Sequence, residues 1–162
     1  MSTTFEHYRK LLSRHYTWMV GVPFDDKVSA EKALISEVLS SSSDDSPSRG
    51  FAVDLGAGPG FQSIALAELG FSPVLAIDSS AELLGELEAH IGKHKIETRI
   101  ADLSALATDG DNRKAAVVVC MGDRLTHLPS RDAVNVLFST VAKRLLPGGV
   151  FLLTYRDLTR PL

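Results

Sequence analysis

Three aspartates stand at the ends of strand-like runs, Asp54, Asp78 and Asp102, and the first opens the stretch "DLGAGPG" with a glycine at every second position. Gly56, Gly58 and Gly60 carry no Cβ, so the chain can turn there with positive φ while its backbone approaches a ligand closely. Such a turn could serve a dinucleotide, whose fingerprint is G-x-G-x-x-G. Here the third glycine falls one position early and Phe61 takes the dinucleotide slot. Asp54 disfavours a pyrophosphate further, because a carboxylate in a low-dielectric cleft would repel it. A cationic ligand would be attracted instead. Asp78 follows the glycines by about 20 residues, the separation at which a carboxylate can accept hydrogen bonds from two ribose hydroxyls.

The other candidates are weaker. His127, in "GDRLTHL", is a possible general base, needed only if the attacking group must lose a proton; it could equally cap or pack the next helix. Cys120, the single cysteine, lies within "AAVVVCM" and reads as a small hydrophobe before it reads as a nucleophile. No group of His, Cys and carboxylates has metal-site spacing, so no metal is expected.

Alternating strands and helices must position these residues. "FAVDL", "PVLAID", "IETRIAD", "AAVVVCM" and "VFLLTY" read as strands 1 to 5. Helices are expected after Gly60, over about 80–94 and over about 130–145, the last ending at the helix stop and turn "PGG". Strand alternating with helix predicts an α/β, Rossmann-like doubly wound sheet, mostly parallel, with about five strands and helices on both faces, and right-handed crossovers leave few topologies. Ligands of such sheets lie beyond the carboxyl ends of the strands where strand order reverses, around strand 1. Ahead of the sheet, Phe5, Tyr8, Leu12, His15, Tyr16 and Met19 repeat at helical steps, and Val28, Ala33, Ile35 and Val38 make a weaker stripe over about 26–39. The polar run from Ser40 to Gly50 reads as a connection. The expected organisation is one domain over 1–162: an N-terminal helical cap and linker over 1–48, then a ligand-binding core over 49–162.

On Asp54, Gly56, Gly58 and Gly60 in the order D-x-G-x-G-x-G, and on "AIDSS", "ADL", "VVVCMGDRLTHL" and "LLPGGVFLLTYRD", the chain resembles the class I S-adenosylmethionine-dependent methyltransferases from about 51 to 157. The resemblance implies the strand order 3-2-1-4-5 and a sulfonium donor with an ammonium group and no phosphates, held at its methionine part by Asp54, Gly56, Ala57, Gly58 and Gly60. It implies that Asp78, with Ser79 beside it, holds the ribose, that Asp102 accepts from the adenine amine, and that Leu103 lies against the ring. Cys120, Met121 and Gly122 would line the donor and substrate cavity. Ser79 also heads an S-x-x-E box with Glu82, which predicts that it starts the next helix. The N-terminal segment of this family commonly folds over the cofactor, making Tyr16 and Trp18 candidate lid or substrate residues, although packing explains their spacing equally.

Two absences shape the expected function. The family's "NPPY"-like motif after strand 4 is replaced by "CMGD", which with a net charge of -3 points to a small-molecule acceptor and away from nucleic acid. The sequence also stops soon after strand 5, before the antiparallel hairpin of the family's seven-stranded sheet. An apolar edge strand is an association hazard, so a second copy, a partner chain, folded-back residues or a continuing chain is expected to cover strand 5. The expected function is methyl transfer; the alternatives are a noncatalytic or truncated S-adenosylmethionine-binding module acting with a partner, and, last, an NAD-dependent oxidoreductase. With no signal-peptide pattern and no apolar run of membrane-spanning length, a cytoplasmic protein without a membrane partner is expected.

Overall fold

The computed structural model describes residues 16–41, 49–107 and 110–155. Residues 16–20 are helical, and the remainder of the first expected helix and positions 42–48 of the connection lie outside the described residues. There follow α1 (Phe24–Ser41), β1 (Ala52–Leu55), α2 (Phe61–Glu68), β2 (Val74–Asp78), α3 (Ala81–His90) and β3 (Ile96–Ile100). A 3-10 turn (Leu103–Ala107), β4 (Ala115–Cys120), a second 3-10 turn (Arg124–His127), α4 (Arg131–Arg144) and β5 (Leu145–Leu153) complete the order. All strand pairings are parallel, in the spatial order β3-β2-β1-β4-β5.

β1, β2 and β4 are buried at every position, as expected of central parallel strands covered on both faces. Successive side chains go to opposite faces, so each strand feeds two cores. Ala52, Val74, Ala76, Val117 and Val119 pack with Phe61, Leu66, Leu84 and Leu87, whereas Val53, Leu55, Leu75, Ile77, Val118 and Cys120 pack with Leu106, Leu137 and Val141. The first core also takes Val28 and Ile35 of α1, which packs on α2. α1 thus contributes directly to that core. Its stripe is weak because two apolar residues suffice where a neighbouring helix already covers the sheet.

Three local expectations are corrected. Ser80, not Ser79, caps α3: its Oγ accepts from the Leu83 amide at 3.3 Å. The Asp78 carboxylate takes the Ser80 amide at 2.8 Å, which carries the chain one residue further before helix begins. α3 ends at His90 rather than near 94. Finally, "PGG" is not a turn between helix and strand, because α4 stops at Arg144 and β5 starts at once. Gly148 has φ 74° and the β4–β5 register shifts between Ala115 and Val117, so the glycines form an irregularity within the strand.

Candidate functional site

The glycine turn joins β1 to α2 at the carboxyl edge of the sheet. Gly56, Gly58 and Gly60 have φ of 78°, 55° and 97°, all in the left-handed region. The Gly56 and Ala57 amides both donate to the Ile77 carbonyl, at 2.8 and 2.9 Å, which pins the turn to the end of β2. Gly58 N–H donates to Asp78 Oδ2 at 2.8 Å. Asp78 thus braces the turn through one oxygen and α3 through the other, and each oxygen keeps a further lone pair. Packing also requires Gly60 to be bare, since a Cβ there would run into Leu87 of α3.

Asp54 lies beneath this turn, 1% exposed, and its Oδ2 accepts from Ser63 Oγ of α2 at 2.6 Å. Burial raises its pKa to about 7, with the Ser63 hydrogen bond and the charge of Arg124 opposing the rise. The negative charge expected at the end of β1 is accordingly poised near neutrality.

Two cavities open on either side of the turn. The smaller, about 80 Å³, is bounded by Gly56, Asp78, Ser79, Ala101, Asp102 and Leu103 with Arg124 and Leu128. Ser79 thus lies on its wall beside Asp78, and Asp102, whose Oδ1 accepts from the Ser104 amide at 2.9 Å, faces it from the end of β3. The larger, about 270 Å³, includes Ala57, Met121, Gly122, Tyr16, Glu31 and Arg124 in its wall. Gly122 N–H donates to Thr154 Oγ1 at 2.7 Å, tying this wall to the end of β5.

Most residues singled out in the sequence converge here, and some do not. Cys120 is fully buried in β4 and burial pushes its thiol up to about 12, which makes it a packing residue with almost no thiolate at neutral pH. Trp18 is 81% exposed and belongs to neither cavity wall, unlike Tyr16. The backbone of His127 ends the second 3-10 turn, and its side chain lies outside the described residues. The helical segment carrying Tyr16 is held by Thr17 Oγ1 donating to Glu86 on α3, and Phe24 stacks on His90 with ring centroids 3.8 Å apart. Among the described residues no group of three or more His, Cys, Asp or Glu could hold a metal ion, and no helix is long and apolar enough to cross a membrane.

Sequence reasoning missed Glu31 and Arg124. Glu31, 7% exposed on α1 and ion-paired with Lys27, stands on the same face as Val28 and Ile35, where a carboxylate reads as a gap in the apolar stripe and not as a site residue. Arg124 follows the "CMGD" stretch, and nothing in local spacing reveals that its side chain reaches back over the glycine turn.

Comparison with known proteins fits this arrangement. A family described as a methyltransferase domain matches residues 52–149. "Putative methyltransferase YqeM" of Bacillus subtilis is 33% identical over 106 residues, covering 65% of this chain and 42% of that protein. A glycine/sarcosine N-methyltransferase of Halorhodospira halochloris is 32% identical over 107 residues, covering 65% of this chain and 39% of that protein. The chain therefore spans about two fifths of the length of these curated relatives. Among solved structures, an S-adenosylmethionine-dependent methyltransferase from Clostridium acetobutylicum superposes with a TM-score of 0.67 at 22% identity, over 93% of this chain and 57% of that one, a likeness of fold.

Proposed function

The chain belongs to the class I S-adenosylmethionine-dependent methyltransferase family, and from that premise we propose that it binds S-adenosylmethionine and transfers its methyl group to a small-molecule acceptor. One observation carries the proposal: the bare glycine turn is bound to Asp78, which shares a cavity with Asp102 and Leu103. That set fits the donor, with carboxylates for the ribose hydroxyls and the adenine amine, an apolar side chain for the ring, and a turn that a Cβ would obstruct. The relatives' names support methylation, and the mild acidity and the missing "NPPY" support a small acceptor over nucleic acid.

The bound donor supplies an electrophilic methyl group on a sulfonium. Displacement at that carbon is in line, so the protein's work is to orient the two reactants and keep water out. Asp78 orients the nucleoside end, the Gly56–Gly58 backbone offers a close surface, and Asp54 lends negative potential from below. Met121, Gly122 and Tyr16 bound the space in which an acceptor meets the methyl group. If that acceptor must lose a proton, His127 is the proposed base. Residues 1–162 are taken as a single domain, supported by the core that α1 shares with the sheet.

Calorimetric titration with S-adenosylmethionine, S-adenosylhomocysteine and NAD tests the proposal. Both adenosyl ligands are expected to bind and NAD is not; Asp78→Ala should weaken the adenosyl ligands by about 1–3 kcal/mol, the scale of a lost hydrogen bond to a charged group. Unchanged affinity in a folded Asp78→Ala variant would remove the ribose assignment. A second reading, a noncatalytic or truncated binding module that works with a partner chain, is favoured by the short span relative to the curated relatives. Donor binding without turnover across an acceptor screen would support it.

A further inference from the structure

The two cavities beside the glycine turn share one wall residue besides their common turn, Arg124. Its side chain leaves the 3-10 turn after β4 and lies directly on the bare backbone. A Cβ built on Gly56 would stand 2.8 Å from Arg124 Cδ, and one on Gly58 would stand 2.9 Å from its Nη2. Its guanidinium carbon is 5.8 Å from the ring centre of Tyr16, on the far wall of the larger cavity, and its charge acts on buried Asp54. The surface that the glycines leave bare is thus covered by a cation from the protein itself.

We propose that Arg124 is a specificity-determining residue of the donor cleft: its side chain partitions the cleft over Gly56 and Gly58, has to move aside when an elongated nucleoside ligand spans both cavities, and selects against positive charge on that ligand. The proposal rests on the donor reading above. A ligand reaching from Asp78 and Asp102 on one side to Ala57, Met121 and Gly122 on the other must cross the line that Arg124 occupies. The covered conformation therefore lowers apparent affinity by the fraction of molecules in which Arg124 is already displaced. Charge adds a second effect. S-adenosylmethionine carries a sulfonium and S-adenosylhomocysteine a neutral thioether, so a nearby guanidinium penalises the donor more than the product.

The test is calorimetric affinity for both ligands on the wild-type chain, Arg124→Ala and Arg124→Lys, with thermal melts to establish that each variant is folded. Arg124→Ala is expected to bind S-adenosylmethionine about three- to ten-fold more tightly and S-adenosylhomocysteine with a smaller gain, so the ratio of the two affinities moves toward the donor. Arg124→Lys, which keeps the charge, should leave that ratio near the wild-type value. Equal or weaker binding of both ligands by Arg124→Ala, with the wild type binding normally, would overturn the inference and leave the donor reading standing. Binding by neither the wild type nor Arg124→Ala would remove the donor reading, and this inference with it.

Discussion

Asp54 is the residue whose chemistry changed most between sequence and structure. As a sequence position it is a fixed negative charge at the end of β1; in the fold, burial lifts its pKa to about 7. In the unfolded chain the group titrates near 3.8, so between about pH 4 and 7 the folded state holds a proton that the unfolded state has released. Stability must then fall as pH rises through that window and level off above it. Asp54→Asn is expected to flatten the slope, with urea denaturation giving a more stable variant at pH 8 and little difference at pH 4. The same variant should bind a cationic donor more weakly. A wild-type stability that rises steadily from pH 4 to 7 because of Asp54, and loses that rise in the variant, would contradict the assignment.

At the scale of elements, the site depends on how strands hand over to helices. Asp78 ends β2, takes the Gly58 amide and the Ser80 amide, and so couples the glycine turn to the start of α3. Ser80 then caps the helix that carries Leu87 against Gly60. Loss of the cap in Ser80→Ala should cost about 1 kcal/mol in denaturant unfolding, whereas Ser79→Ala should cost clearly less. The reverse order would restore the Ser79 box read from the sequence. That box was plausible because Ser79 and Glu82 have the right spacing; two adjacent serines offer two frames, and a carboxylate upstream chose between them. The helix stop before β5 was legible, but the role of "PGG" was not, since a bulge is defined by the pairing with Ala115 and Val117 on another strand.

For the whole molecule, the parallel sheet ends in β5, nine residues long, paired with β4 on one side and with no other strand among the described residues. Its side chains Leu146, Val150 and Leu152 on one face and Leu145, Phe151 and Leu153 on the other are only partly buried. Such an edge favours strand addition. The chain is therefore expected to exceed its monomer mass of 17.5 kDa in light scattering as concentration rises. A monomer at all concentrations would mean that the edge is protected within the chain. Exposed Phe138 on α4 flanks the same side, meeting Phe151 edge-on at 5.6 Å, which adds apolar surface to any such contact.

The sequence alone determined the alternation of strands and helices, the glycine turn and the carboxylates at the ends of β1 to β3, because periodicity and residues lacking a Cβ are local constraints, while the strand order followed from the family resemblance. Positive φ at Gly56, Gly58 and Gly60 and the meeting of Asp78 with Asp102 at one cavity agree with that reading. Tertiary structure alone decided how far Asp54 is buried, that Ser80 rather than Ser79 caps α3, that α1 belongs to the core and that Arg124 lies across the turn. Burial and long-range contact arise from segments distant in the chain, and no local pattern of charge or periodicity encodes them.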